Sequence, residues 1–207
     1  MQIDILTAFP GMFSALDFSI PKRAQDKELI QIKIHDLRQW ADDNYKSIDD
    51  RPYGGGPGMI LRVDLIDRAI SSIKHLGSKI ILLDAGGKKF NQHKAVELSK
   101  AQHLIFVCGH YEGVDHRVHE HLADEIISIG DYVLSGGEIP AMVIIDSVVR
   151  LLPGVLGNEN SLTDESHNKK SIEYPQYTRP EDYKGWKVPE ILLSGHHKKI
   201  AEWKKGQ

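Results

Sequence analysis

The chain has 207 residues, 41% of them hydrophobic and 27% charged. That is enough to bury the core of one medium domain plus a small appendage, and too apolar for a disordered chain. The 26 basic and 29 acidic residues leave a net charge of −3, which does not mark a nucleic-acid binder, and the single cysteine, Cys108, excludes an internal disulfide framework and a cysteine-rich zinc site.

Short apolar runs alternate with longer amphipathic stretches along the chain. Residues 2–9 (QIDILTAF) read as a strand, 11–26 as a helix and 29–37 (LIQIKIHDL) as a second strand. The opening residues carry no basic stretch followed by a long apolar run, so no leader peptide is expected. A glycine-rich loop, DDRPYGGGPGM (49–59), precedes a helix at 63–76. Strand 79–85 (KIILLDA), helix 91–102 and strand 104–109 (LIFVCG) form the clearest βαβ unit, because continuous apolar runs suit strands covered on both faces. A helix at 114–123, a strand at 125–134 (EIISIGDYVL) and a helix at 138–152 complete an α/β pattern with a mainly parallel sheet. No apolar run approaches the length of about 18 residues that spans a membrane, so a cytoplasmic protein is expected. Residues 158–170 (NENSLTDESHNKK) lack apolar periodicity and read as a flexible interdomain linker, followed by a small module at 171–207. From Lys169 onward there are nine basic and five acidic residues, net +4, against −7 before it: a basic tail on an acidic body, suited to a phosphate backbone.

Glycines collect where strands should end: Gly86 and Gly87, Gly109 and Gly113, Gly130, Gly136 and Gly137. Ligands of open α/β sheets sit at those ends, where backbone without a Cβ allows close approach. Neither a dinucleotide fingerprint nor the Lys-Ser/Thr of a phosphate loop is present. The segment SIGDYVLSGGEIPAM (128–142) has two readings. Ser135 and Glu138 stand at capping-box spacing before a helix, or the turn is one wall of a cleft for a planar ligand with Tyr132 or Leu134 packed on it. In CGHYEGVDHR (108–117), the acids Glu112 and Asp115 either cap the next helix or receive a ribose hydroxyl or a cation. His110, His116, His119 and His121 lack the i, i+4 pairing of a helical zinc site, so no metal ligand is assigned. Asp146 and Arg150 stand at i, i+4: an intrahelical ion pair, or a guanidinium aimed at a ligand oxygen gaining negative charge. Asp164 and Glu165 are either solvated acids or a general base delivered by the linker.

Taken in order, DDRPYGGGPGM, VCGHYEGVDHR, SIGDYVLSGGEIPAM, RLLPGVLGNE, YPQYTRP and VPEILLSGHH closely resemble the bacterial tRNA (guanine-N1)-methyltransferase (TrmD) family of the SPOUT class, over virtually the whole chain. The resemblance implies a parallel α/β sheet with a deep trefoil knot. It implies a knotted S-adenosylmethionine-binding catalytic domain at 1–157 and a short helical tRNA-binding module at 171–207. It further implies a homodimer with active sites at the subunit interface, and a need for magnesium. The implied reaction is methylation of N1 of the guanosine immediately 3′ of the tRNA anticodon; the alternative is a cofactor- and RNA-binding module with weak or lost turnover.

Carried onto matching positions, the cofactor pocket falls on Leu83, Gly109, Tyr111, Glu112 and Gly113. It continues through Ile129, Gly130, Asp131, Tyr132, Val133 and Leu134 to Gly136, Gly137 and Pro140. The catalytic arginine matches Arg150, and the linker base matches Glu165. Three features depart from the family pattern. Its base is an aspartate where this chain has Glu165, with Asp164 adjacent; its proline in the first knot loop is Ala85; and its C-terminal domain is larger than the segment ending soon after Trp203.

Overall fold

A computed structural model describes residues 1–157 and 174–205. The chain divides into two compact units, Met1–Glu159 and Asn160–Gln207. In the first unit the elements run β1 (Gln2–Thr7), α1 (Ser19–Asp26), β2 (Gln31–Asp36), β3 (Asp49–Asp50), β4 (Ile60–Leu61), α2 (Val63–Ile73), β5 (Ser78–Lys89), α3 (Gln92–Leu98), β6 (His103–Cys108), α4 (His116–His121), β7 (Glu125–Ser128) and α5 (Glu138–Val149). Five of the strands form one sheet in the order β2-β1-β6-β5-β7, and every pair in it is parallel. The mainly parallel α/β architecture expected from the strand–helix alternation is present.

The inner strands of the sheet are apolar on both faces, which explains their unbroken hydrophobic runs. Side chains alternate across a strand. Ile3, Ile5, Ile81, Leu83, Leu104, Phe106 and Cys108 pack on one side with α1, α3 and α5. Leu6, Ile80, Leu82, Ile105 and Val107 pack on the other with α2 and α4. Burying a large aliphatic or aromatic side chain contributes about 1.5–3 kcal/mol, so these two layers hold the sheet and fix where its strand ends lie.

Several expected boundaries move, each for a local reason. The single helix expected at 11–26 is a 3-10 helix over Pro10–Asp17 followed by α1. Pro21, in the first turn of α1, has no N–H and its ring opposes the Asp17 carbonyl four residues back, so the helix cannot continue backwards through Phe18. Phe18 is extended and Ser19 takes a φ of +54°. The strand expected to run to 134 stops at Ser128, whose hydroxyl donates to the Gly130 carbonyl at 3.0 Å and accepts from the Gly130 amide at 3.3 Å. That local turn replaces the ladder bonds. Conversely, β5 runs on past residue 85 to Lys89, with a register shift against β7 between Leu83 and Lys88. The short antiparallel pair β3–β4 closes the ends of the glycine-rich loop, where no strands were expected.

In the second unit, residues 174–205 hold a hairpin of β8 (Asp182–Tyr183) and β9 (Trp186–Lys187), then α6 (Glu190–Leu193) and α7 (His197–Lys205). Tyr183 and Trp186 meet edge to face at 5.7 Å. Lys204 donates to the Tyr174 hydroxyl at 2.8 Å.

Candidate functional site

A cleft of about 220 Å³ opens at the carboxyl ends of β5, β6 and β7, where ligands of parallel sheets bind. Three loops build it: the bend in β5 around Asp84, the segment after β6 from Gly109 to Gly113, and the segment from Ile129 to Gly137 that leads into α5. Two of these loops interlock. The Gly137 amide donates to the Gly109 carbonyl at 2.7 Å, and His110 and Gly136 form an antiparallel bridge. A Cβ on Gly137 would stand 2.8 Å from the Cys108 Cα, so only glycine permits this approach. Gly87 makes a comparable passage, where a Cβ would stand 2.7 Å from the backbone of Ile126 and Ile127.

Tyr111 sits in the left-handed region at φ +60°, a conformation that costs a non-glycine residue about 1–2 kcal/mol. Its ring meets that of His110 edge-on at 5.1 Å. Two carboxylates line the cleft, Asp84 and Glu112. Asp84 contacts His119 at 3.2 Å and accepts from the Gly86 amide at 2.7 Å. Glu112 is tied to the glycine-rich loop: its amide donates to the Met59 carbonyl at 3.0 Å, and its side chain fills the space a Cβ on Gly58 would need. Below the cleft floor, Glu138 is completely buried. Burial first, and then the charge of Glu138, pushes the Cys108 thiol up from its ordinary range.

The structure thus brings Leu83, Gly109, Tyr111, Glu112, Gly113, Ile129, Gly130, Tyr132, Val133, Leu134, Gly136, Gly137 and Pro140 around one cleft. Asp131 stands apart: it is exposed and paired with Lys89 at the surface. Arg150 follows the last turn of α5, outside the cleft lining, its amide donating to the Asp146 carbonyl at 3.3 Å. Asp164 and Glu165 lie outside the described residues. Asp84, His110 and Ser135 also face the cleft; none is singled out by the sequence as a cleft residue, although Ser135 lies in the segment whose pattern also fits a cleft wall. The glycine spacing was the available signal for their neighbourhood. The capping box expected of Ser135 and Glu138 is not formed: α5 begins after Gly137 without a side-chain cap, and Glu138 turns inward to Thr7. Asp115 does cap α4, accepting from the Arg117 amide at 3.0 Å.

A family model described as tRNA (Guanine-1)-methyltransferase TrmD matches residues 1–207. The chain belongs to that family. Among its TrmD-family relatives, the tRNA (guanine-N(1)-)-methyltransferase of Geobacillus kaustophilus is 56% identical over 99% of this chain and 85% of its own length. That of Dictyoglomus turgidum is 54% identical over 99% and 84%. That of Bacillus subtilis is 50% identical over 99% and 86%. Among the described residues of this TrmD-family chain, no helix is long and apolar enough to cross a membrane. None of their His, Cys, Asp and Glu side chains gather in a group of three or more suited to a metal ion.

Proposed function

We propose that the chain transfers the methyl group of S-adenosylmethionine to N1 of a guanosine in tRNA, the one immediately 3′ of the anticodon. One observation carries this reading: a glycine-walled cleft at the strand ends in a chain that matches the tRNA (guanine-1)-methyltransferase family from end to end. The cleft suits the donor chemically. Leu83, Ile129, Leu134 and Pro140 offer apolar surface to a planar adenine, close-packed glycine backbone offers amides and carbonyls, and Glu112 offers a carboxylate to ribose hydroxyls. Two close backbone passages, at Gly87 and at Gly137, support a deep trefoil knot around this cleft.

When bound, the donor supplies an electrophilic sulfonium methyl. The protein's residues then have two tasks. Guanine N1 carries a proton at neutral pH, and Glu165, or Asp164 beside it, takes that proton as general base. Arg150 offsets the negative charge that grows on guanine O6 as the proton leaves. The rigid cleft wall keeps the acceptor nitrogen in line with the methyl.

The assignment extends to the whole chain. Residues 1–157 form the catalytic domain, 158–170 the linker that bears the base, and 171–207 the module whose net positive charge meets the tRNA backbone. A second copy completes the active site. The exposed Ile139 and Val143, one turn apart on α5, and the exposed Met12 and Phe18 support an apolar contact of that kind. The reaction takes place in the cytoplasm and requires magnesium.

The test is methyl transfer from labelled S-adenosylmethionine to tRNA transcripts carrying guanosine or adenosine after the anticodon. Labelling that requires guanosine supports the reading. Cofactor binding without labelling of either transcript overturns the enzymatic assignment in favour of a binding module.

A further inference from the structure

Among the described residues, three buried side-chain polar atoms have no hydrogen-bond partner: His110 Nδ1, His119 Nδ1 and Glu138 Oε2. Two of the three face each other, His110 Nδ1 and Glu138 Oε2 at 3.6 Å. An unpaired buried carboxylate oxygen costs free energy that a neighbouring donor recovers, and the gap is only a few tenths of an ångström beyond hydrogen-bond range. The other oxygen of Glu138 is held, accepting from the Thr7 hydroxyl at 2.7 Å at the end of β1. Glu138 is therefore anchored to the sheet on one side and open to His110 on the other.

The pair spans the two interlocked loops of the cleft. His110 lies between Gly109 and Tyr111, and Glu138 directly follows Gly136 and Gly137. Both side chains occupy the space beneath Gly136, where an added Cβ would strike Glu138 Oε2 and His110 Nδ1. The His110 ring is itself packed on Phe9, with centroids 4.4 Å apart.

We propose that His110 and Glu138 are a positioning pair for the methyl-donor cleft: an N–H at His110 Nδ1 closes onto Glu138 Oε2 and so sets the spacing of the two glycine loops. The proposal rests on the cofactor reading above and assigns neither residue to the chemical step. Its energy is that of one hydrogen bond to a charged group, so its loss weakens donor binding about tenfold.

The test compares wild type with His110→Ala, His110→Asn and His110→Gln. Affinity for S-adenosylmethionine is measured by calorimetry, KM and kcat by methyl transfer, and amide hydrogen exchange at Tyr111, Gly136 and Gly137 without ligand. His110→Ala is expected to bind about tenfold more weakly, raising KM for the donor by the same factor while lowering kcat less than about threefold. His110→Asn places an amide nitrogen where Nδ1 was and should recover affinity to within about threefold. His110→Gln places it at the Nε2 position and should not. Exchange at the three amides should rise in the Ala and Gln variants alone. Wild-type affinity in His110→Ala, or His110→Asn binding as weakly as His110→Ala, overturns the proposal, since the ring's packing would then be the whole effect. Wild-type protein that binds no donor overturns the cofactor reading instead. In that case amide exchange alone decides the pair: faster exchange in the Ala and Gln variants supports it, and unchanged exchange overturns it.

Discussion

The amide of Gly137 donates to the carbonyl of Gly109 across 2.7 Å, joining the residue that precedes α5 to the residue that follows β6 with no side chain between them. The two backbones touch because Gly137 carries no Cβ. Gly137→Ala puts a methyl 2.8 Å from the Cys108 Cα and 2.9 Å from the Gly109 amide nitrogen. Neither neighbour is a flexible side chain, so the loops must part. Overpacking of this kind costs about 1–3 kcal/mol, and calorimetry should show loss of S-adenosylmethionine binding together with a lower Tm. A variant that binds the donor as wild type does would remove the cleft from the mechanism.

Arg150→Ala tests the role given to the guanidinium. A group that acts only as charge develops lowers turnover without weakening substrate binding. The expected loss in kcat is about 10²-fold or more, with tRNA affinity by filter binding within a few-fold of wild type. Unchanged kcat would return Arg150 to the ion-pair reading at the end of α5.

The general base is separated from its neighbour by two isosteric changes. Glu165→Gln should abolish methyl transfer while leaving donor affinity unchanged, and Asp164→Asn should be nearly silent. The reverse pattern would move the base to Asp164, one residue earlier. The margin is small because one methylene shifts a carboxylate by about 1 Å, a displacement that can cost on the order of 10²-fold.

Acid stability should report on Asp4, buried in the middle of β1. Burial opposes its ionisation, yet hydrogen bonds from His35 at 2.5 Å, Gln2 at 2.6 Å and His103 at 2.7 Å hold its carboxyl down at about 2. A carboxyl depressed on folding stabilises the protein above its unfolded pKa, and that stability is lost as pH falls toward the folded value. Asp4 should therefore contribute about 2 kcal/mol at neutral pH, lost between roughly pH 4 and pH 2. In urea denaturation, Asp4→Asn should be less stable at pH 7 by about that amount, with the difference shrinking as pH approaches 2. A difference constant across that range would show that the carboxylate's charge is not what stabilises this cluster.

Periodicity and glycine placement made much of this molecule legible in the sequence. Runs such as KIILLDA and LIFVCG announce strands covered on both faces because alternation disappears when both faces are buried. Glycines after those runs point to strand ends that admit a ligand, and the long motifs identify the family. These are local properties, set by a residue and its near neighbours. The structure was needed wherever distance along the chain collapses. Pro21 splits a helix that apolar spacing alone would continue, and Ser128 ends a strand by bonding to Gly130. Glu138, readable as half of a capping box, turns instead to Thr7, 131 positions away in sequence. No periodic pattern encodes that meeting of β1 with α5, or of His110 with Glu138. A buried carboxylate takes whichever donors the packed sheet brings to it, and that choice is made only when the strands assemble.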